Sequence, residues 1–229
     1  MREKVIPPNT AGGPALRADA RRNRNQIIVA AKSLFRTSGL DVSMEAIART
    51  AGVGVGTLYR RFPDRAGLVA AVAAQSFRDV LADVTEAKEV EPSAWDAFVR
   101  LATQSENLRL TVHLAFLSLQ SWRDVHAAPE SEGVHREMMS ALEALVQDAQ
   151  EEGSIRRDIG AGDALYLISV VLGNRSPGTD TMRGMSTERS LRLVLDGLRA
   201  EPSGALPGEP VTVQELNTRM KQGADTLEG

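Results

Sequence analysis

Cysteine is absent from the 229 residues, which excludes disulfides, cysteine-ligated metals and thiol nucleophiles. Histidine is scarce. His113, His126 and His135 fall in separate segments with no pair one helical turn apart, so the spacing of a zinc site is missing. Aromatic residues make up 4% of the chain, and a core drawn from its 42% hydrophobic content must be mostly Ala, Leu, Val and Ile. No run reaches the length of a membrane span, and the opening MREKVIPPNTAGGPA has no apolar signal core. A soluble cytoplasmic protein with no membrane partner is expected. No Gly-x-Ser-x-Gly elbow occurs. The glycine run Gly52 to Gly56 lacks a preceding strand and a Walker lysine, which argues against a nucleotide loop. Neither an enzyme with catalytic residues nor a metal or cofactor is expected.

What is present is helix-forming. Ala and Leu have the best helix propensities, and the alternating period of a strand is nowhere sustained. The expectation is an all-α chain. Its net charge of −3 conceals a division. Up to Arg65, twelve basic residues face five acidic ones, a surplus of seven positive charges, so the remainder carries ten negative charges. A basic front on an acidic body suits a nucleic-acid-binding head, although a solvated basic face gives the same count.

The basic front contains the stretch SMEAIARTAGVGVGTLYRRF, Ser43 to Phe62. Ser43 is placed to cap a short helix with Ile47, Ala48 and Ala51 on its core side. Gly52 supplies a turn residue that tolerates positive φ. A second helix follows from about Gly54, with Leu58 inward and Val55, Thr57, Tyr59, Arg60 and Arg61 mostly outside, and Pro63 ends it. Two short helices about a glycine turn form a helix-turn-helix, whose second helix enters the DNA major groove; an αα-hairpin of another bundle has the same pattern. In such a head Val55, Gly56 and Thr57 face the bases, with Thr57 able to hydrogen-bond. Tyr59, Arg60 and Arg61 reach the backbone, with Arg60 the one of these best placed to enter the groove instead; Ser43 brings a helix end to a phosphate, and Arg65 binds a phosphate from the first turn of the next helix. Arg21, Arg22 and Arg24 sit near the start of the first helix, where the helix dipole disfavours cations. An external anion such as DNA phosphate explains them, as does plain exposure to water.

The run AIARTAGVGVGTLYRRFPDRAGL, Ala46 to Leu68, with AAKSLFRTSGLDVSMEAIA before it, resembles the DNA-binding domain of the TetR family of bacterial transcriptional regulators. The segment GTLYRRFP, Gly56 to Pro63, is the most specific part. The likeness covers roughly Arg22 to Leu81, and the chain has Gly54 and Val55 where the family often has serine and a polar or basic residue.

Residues 1–17 read as a flexible arm and 18–81 as the head, with helix 1 from about Ala18 to Ser38 burying Ile27, Ala31, Leu34 and Phe35. Helix 4 begins at Asp64, an N-cap directly after Pro63, and continues into a second domain, 82–200. There, Pro92-Ser93 opens a helix with Trp95 and Phe98, and Leu108 to about Val125 forms another. Ala127 to Gly133 is a loop, Val134 to Glu152 an amphipathic helix, and Asp163 caps the apolar run that ends at Gly173. Asn174 to Ser186 is a loop before a last helix from Thr187. Residues 201–229 read as a flexible tail, in which Thr212 to Glu215 has the form of a capping box.

The resemblance implies that the second, larger helical domain binds a small effector and dimerises. A largely apolar pocket is drawn from Trp95, Phe98, Phe116, Trp122, Met138 and Tyr166, with His113, Gln120 and Asn174 as polar handles; for each aromatic taken singly, core packing is the favoured explanation. The dimer contact implied by the family falls on the last two large helices, at Leu167, Val171, Leu191, Val194, Leu195 and Leu198. The function expected is a homodimeric repressor released from its DNA operator by a small, largely apolar effector that shifts helix 4. The alternatives are a ligand-dependent activator and a TetR-like helical binding protein that no longer reads specific DNA.

Overall fold

Stretches of Ala and Leu at helical spacing, punctuated by Gly and Pro, fold as the composition dictates. The computed structural model describes residues 14–117, 129–173, 180–200, 210–216 and 218. Its named helices are α1 (Pro14–Ser38), α2 (Met44–Thr50), α3 (Val55–Arg61), α4 (Arg65–Val90), α5 (Ala94–Gln104), α6 (Glu106–Leu117), α7 (Pro129–Glu151), α8 (Ala161–Gly173) and α9 (Asp180–Leu198). Among the described residues the β pairing is confined to an isolated bridge between Ile155 and Arg199. No described helix is long and apolar enough to cross a membrane.

Several helix boundaries differ from the sequence expectation. Helix α1 starts at Pro14, inside the expected arm, and α7 starts at Pro129, inside the expected loop. In both cases the proline sits at the first helical position, where its missing N–H costs nothing and its fixed φ suits the helix. Helix α9 begins at Asp180, before the expected Thr187. Asp163 lies within the first turn of α8 and reaches back to accept from the Gly160 N–H at 2.9 Å.

The chain divides into two compact units, Met1–Leu68 and Val69–Gly229, with the division inside α4 and ahead of the expected boundary at residue 81. In the first unit α1, α2 and α3 pack on one another. Ile27, Ala31, Phe35, Ile47, Ala48 and Leu58 are fully buried there, while Leu34 is only half-buried. In the second unit α8 packs against α6, α7 and α9, and α5 against α7 and α9. The turn between α7 and α8 is tied to the end of α9. The Arg156 N–H donates to Leu198 O at 3.0 Å, the Ala200 N–H donates to Ser154 O at 3.1 Å, and the Arg156 side chain pairs with Asp158. Gly153 takes φ 76° in that turn, a conformation that favours glycine.

Candidate nucleic-acid interface

The short α2 is closed at both ends by its own sequence. Ser43 Oγ accepts from the Ala46 N–H at 3.1 Å, satisfying one of the unpaired donors of the first turn. At the far end Gly52 takes φ 67°, and the Val53 N–H donates to Ala48 O at 3.0 Å. The chain thus turns directly into α3. A seven-residue helix has little stability of its own. Helix α3 is held by Leu58, its one buried residue, and by Phe62, which follows it at 4% exposure.

The opposite side of α3 is left to solvent. Val55 and Tyr59 are 39% and 42% exposed, and Gly56, Arg60 and Arg61 are exposed. Thr57 is half-buried, and its hydroxyl oxygen accepts from Arg60 Nη2 at 3.1 Å. That bond holds Arg60 along the helix and leaves the Thr57 hydroxyl hydrogen available to an acceptor. Gly54 and Gly56 have ordinary φ, and a Cβ on either would meet nothing closer than 3.9 Å. Neither the fold nor the backbone requires glycine there, and Gly56 costs helix stability by roughly 1 kcal/mol relative to alanine. The result is a bare strip of backbone beside Val55, flanked by two arginines and a tyrosine. Such a surface can accept a close-approaching, anionic partner.

Arg21 and Arg22 are exposed on α1, as expected. Two other predicted phosphate contacts are placed differently. Arg24 is half-buried with its guanidinium 5.6 Å from the centre of the Phe62 ring. Arg65 turns into the head: Nη1 donates to Val42 O at 2.6 Å, the guanidinium lies 5.9 Å from the Phe35 ring centre, and Nη2 is buried without a partner. Its long side chain bridges the start of α4 to the loop before α2, which no spacing in the sequence announces. Arg65 is thus turned toward the head's own core, an arrangement that suits a positioning role better than an outward phosphate contact. Arg65→Ala is expected to destabilise the head by about 1–3 kcal/mol, since a charge-assisted bond is lost, without changing the salt dependence of DNA binding. Thermal denaturation and a salt titration check the two halves; a flatter salt dependence would return Arg65 to the phosphates.

The predicted effector pocket is not assembled by the described residues. Trp95 and Phe98 are buried with ring centres 6.2 Å apart, and Arg199 caps the Trp95 ring at 4.7 Å. They form part of the α5 core. Met138 is buried, His113 is half-buried, and Tyr166 is 50% exposed on α8. The Phe116 side chain, Gln120, Trp122 and Asn174 lie outside the described residues. A hollow of about 310 Å³ between α4, α5 and α6 is polar, lined by Asp83, Glu86, Arg100 and Asn107. Its charges are paired internally: Asn107 donates to Asp83, and Arg100 bridges Glu86 and Glu91. Arg100 is raised from its ordinary pKa by the hydrogen bond to Glu91 and by the nearby Glu86 charge.

Two residues that sequence reasoning missed stand out in the core of this unit. Ser76 on α4 is fully buried and Thr111 on α6 is 7% exposed, and neither hydroxyl has a hydrogen-bond partner. An unsatisfied buried hydroxyl costs roughly 1–3 kcal/mol. The signal was legible: Ser76 interrupts the stripe Val72, Ser76, Val80 at helical spacing.

The predicted dimer residues also separate. Leu191, Leu195 and Leu198 are each 2% exposed, covered by their own chain, and so have no surface to offer a partner. An apolar stripe on a helix does not reveal whose core it enters. Val171 and Val194 are half-buried, whereas Leu167 is 41% exposed beside Tyr166 and Val170. These three form one outward face of α8, and Leu193 on α9 is 73% exposed.

Comparison with known proteins agrees with this geometry. The sequence pattern of bacterial regulatory proteins of the tetR family matches residues 27–72. That of the C-terminal domain of SbtR-like transcriptional regulators matches residues 94–200. A TetR transcriptional regulator from Streptomyces coelicolor, known from a crystal structure, is 31% identical with a TM-score of 0.59, over 79% of this chain and 99% of that one. The chain belongs to the TetR family. A second TetR regulator structure, from Mycobacterium vanbaalenii, is 28% identical with a TM-score of 0.55, covering 80% of this chain and 99% of that one. An HTH-type transcriptional regulator of Staphylococcus aureus is 44% identical over 54 residues, 23% of this chain and 29% of that protein. The chain thus spans less than a third of the length of that curated relative. The TetR family is one of transcription regulators and not a family of enzymes.

Proposed function

We propose that this TetR-family chain is a cytoplasmic, homodimeric repressor that binds a DNA operator through α3 and leaves it when a small effector occupies the second unit. The observation that carries the reading is the division of α3, with Leu58 anchored inward and Val55, Gly56, Tyr59, Arg60 and Arg61 facing out. Val55 packs against thymine methyl groups, Thr57 and Arg60 read base edges as a hydrogen-bonded pair, and Tyr59 and Arg61 hold the phosphates. Ser43, Arg21 and Arg22 add phosphate contacts from α2 and α1. One seven-residue helix spans few base pairs, so two copies are needed for a selective site. The exposed face of Tyr166, Leu167 and Val170 on α8, and the exposed Leu193 on α9, support pairing between copies. The effector is largely apolar, and the unpartnered Ser76 and Thr111 hydroxyls favour one that also carries a hydrogen-bonding group. Helix α4 contributes residues to both units, and that continuity is the route assigned to the effector's signal. No catalytic activity, cofactor or metal is part of this reading.

Footprinting on the DNA upstream of the chain's own gene tests it. Two protected stretches about one helical turn apart are expected; uniform protection would point to a protein that no longer reads sequence. Thr57→Ala is expected to alter the preferred base at one position of each half-site by about 1 kcal/mol. Selection from a randomised duplex pool measures this, and an unchanged preference removes Thr57 from base readout.

A further inference from the structure

Gly160 and Gly162 have φ values outside the left-handed region, so backbone conformation does not demand glycine at either place. Space does. A Cβ on Gly160 would overlap the carbonyl of Val211, whose carbon would lie 2.7 Å away, and one on Gly162 would overlap the carbonyl of Thr212 at the same separation. The main chain of residues 211 and 212 is therefore pressed against the turn that starts α8. Asp163 Oδ2 accepts from the Val211 N–H at 2.8 Å as well as from the Gly160 N–H at 2.9 Å. A helical turn follows. Thr212 Oγ1 accepts from the Glu215 N–H at 3.2 Å and Glu215 Oε2 accepts from the Thr212 N–H at 2.9 Å, the reciprocal capping box expected from sequence. Val213 and Leu216, three residues apart on one side of that turn, are 6% and 8% exposed.

The short helix announced by the capping box is present, and residues 210–216 of the expected flexible tail are held against the turn before α8. The linker composition of EPSGALPGEP concealed that contact, because the receiving glycines lie some fifty residues earlier in the chain. The segment also falls beyond residue 200, where the matched C-terminal pattern ends.

We infer that Val211–Leu216 is a clasp, bound to the Gly160–Asp163 turn through the backbone of Val211 and Thr212 and holding the first turn of α8 in place for self-association. Two glycines at a helix start favour fraying. The clasp opposes it by covering them and by sharing the Asp163 carboxylate between both backbones. Tyr166, the first residue of the exposed apolar face, comes three residues after Asp163, so fraying that reaches it disorders the face. The role in self-association rests on the homodimer proposed above; the clasp does not.

The test uses the full chain, Gly160→Ala, and Gly133→Ala as a control, since Gly133 sits in α7 with nothing within 4 Å of a Cβ. Hydrogen exchange by mass spectrometry is expected to find residues 211–216 protected in the full chain and in Gly133→Ala, and exchanging roughly tenfold or more faster in Gly160→Ala. A chain ending at Glu209 is expected to bind a synthetic peptide of sequence 210–218 saturably. Sedimentation is expected to give a dimer dissociation constant about tenfold higher for Gly160→Ala and for the shortened chain. Exchange of 211–216 at the unstructured rate in the full chain overturns the clasp. Fast exchange of 211–216 in Gly160→Ala with an unchanged dimer constant overturns its role in pairing. A full chain that stays monomeric, with 211–216 protected, removes the homodimer and that role together while upholding the clasp.

Discussion

Leu58→Ala is expected to destabilise the first unit by about 2–5 kcal/mol, the usual range for removing a fully buried leucine from a core that cannot collapse around the gap. The loss is large against a total stability of roughly 5–15 kcal/mol for a domain. It also falls where Phe62, just past the helix, is the main remaining anchor. Helix α3 has seven residues, an N-cap glycine with no side-chain bond, and Leu58 as its one buried side chain. The thermal transition of the head should drop or disappear, and DNA binding should fail with it. Val55→Ala, on the exposed face of the same helix, is expected to change stability by about 0.5 kcal/mol or less. A Leu58→Ala protein with an unchanged melting transition contradicts the assignment of Leu58 as the anchor.

Arg61→Ala is expected to leave the fold intact and weaken DNA binding about a hundredfold. Arg61 is exposed in the last turn of α3, and its side chain makes no hydrogen bond or ion pair among the described residues. A charge-assisted hydrogen bond contributes roughly 1.5 kcal/mol or more. In a homodimer every substitution acts twice, and about 3 kcal/mol corresponds to about two powers of ten in affinity. The slope of log K against log salt should fall by about 2, one counterion for each lost phosphate contact. The same loss is expected on operator and on unrelated duplex, because phosphates carry no sequence. Affinity measured by fluorescence anisotropy over a salt series decides this. A loss confined to one DNA sequence would make Arg61 a base reader instead.

The contrast between these residues and Arg65 explains how far the sequence could be read. Ser43 and Gly52 act through local geometry, so their roles as cap and positive-φ turn follow from the residues themselves and recur in the structure. Leu58 is likewise given by helical spacing. Arg65 reaches back to Val42 and Phe35, and its role depends on a packing partner that local spacing does not specify. Leu191, Leu195 and Leu198 suit a partner chain by spacing for the same reason, since periodicity reports that a face is covered and not by what. Pro129 suits a loop by composition, although proline also opens helices. The clasp was hidden because its evidence is split between Gly160, Gly162 and Asp163 on one side and Val211 on the other. Apart from Pro129, each difference involves contact between segments distant in sequence.

The account depends most on the outer side of α3 meeting a DNA duplex. Equilibrium binding of the full chain to duplex from upstream of its own gene, and to a scrambled duplex of equal length, tests that directly across a salt series. The result predicted is a preference of roughly a thousandfold for the upstream duplex, with log K falling linearly as log salt rises. Equal or undetectable binding of the two duplexes in dilute buffer would contradict it.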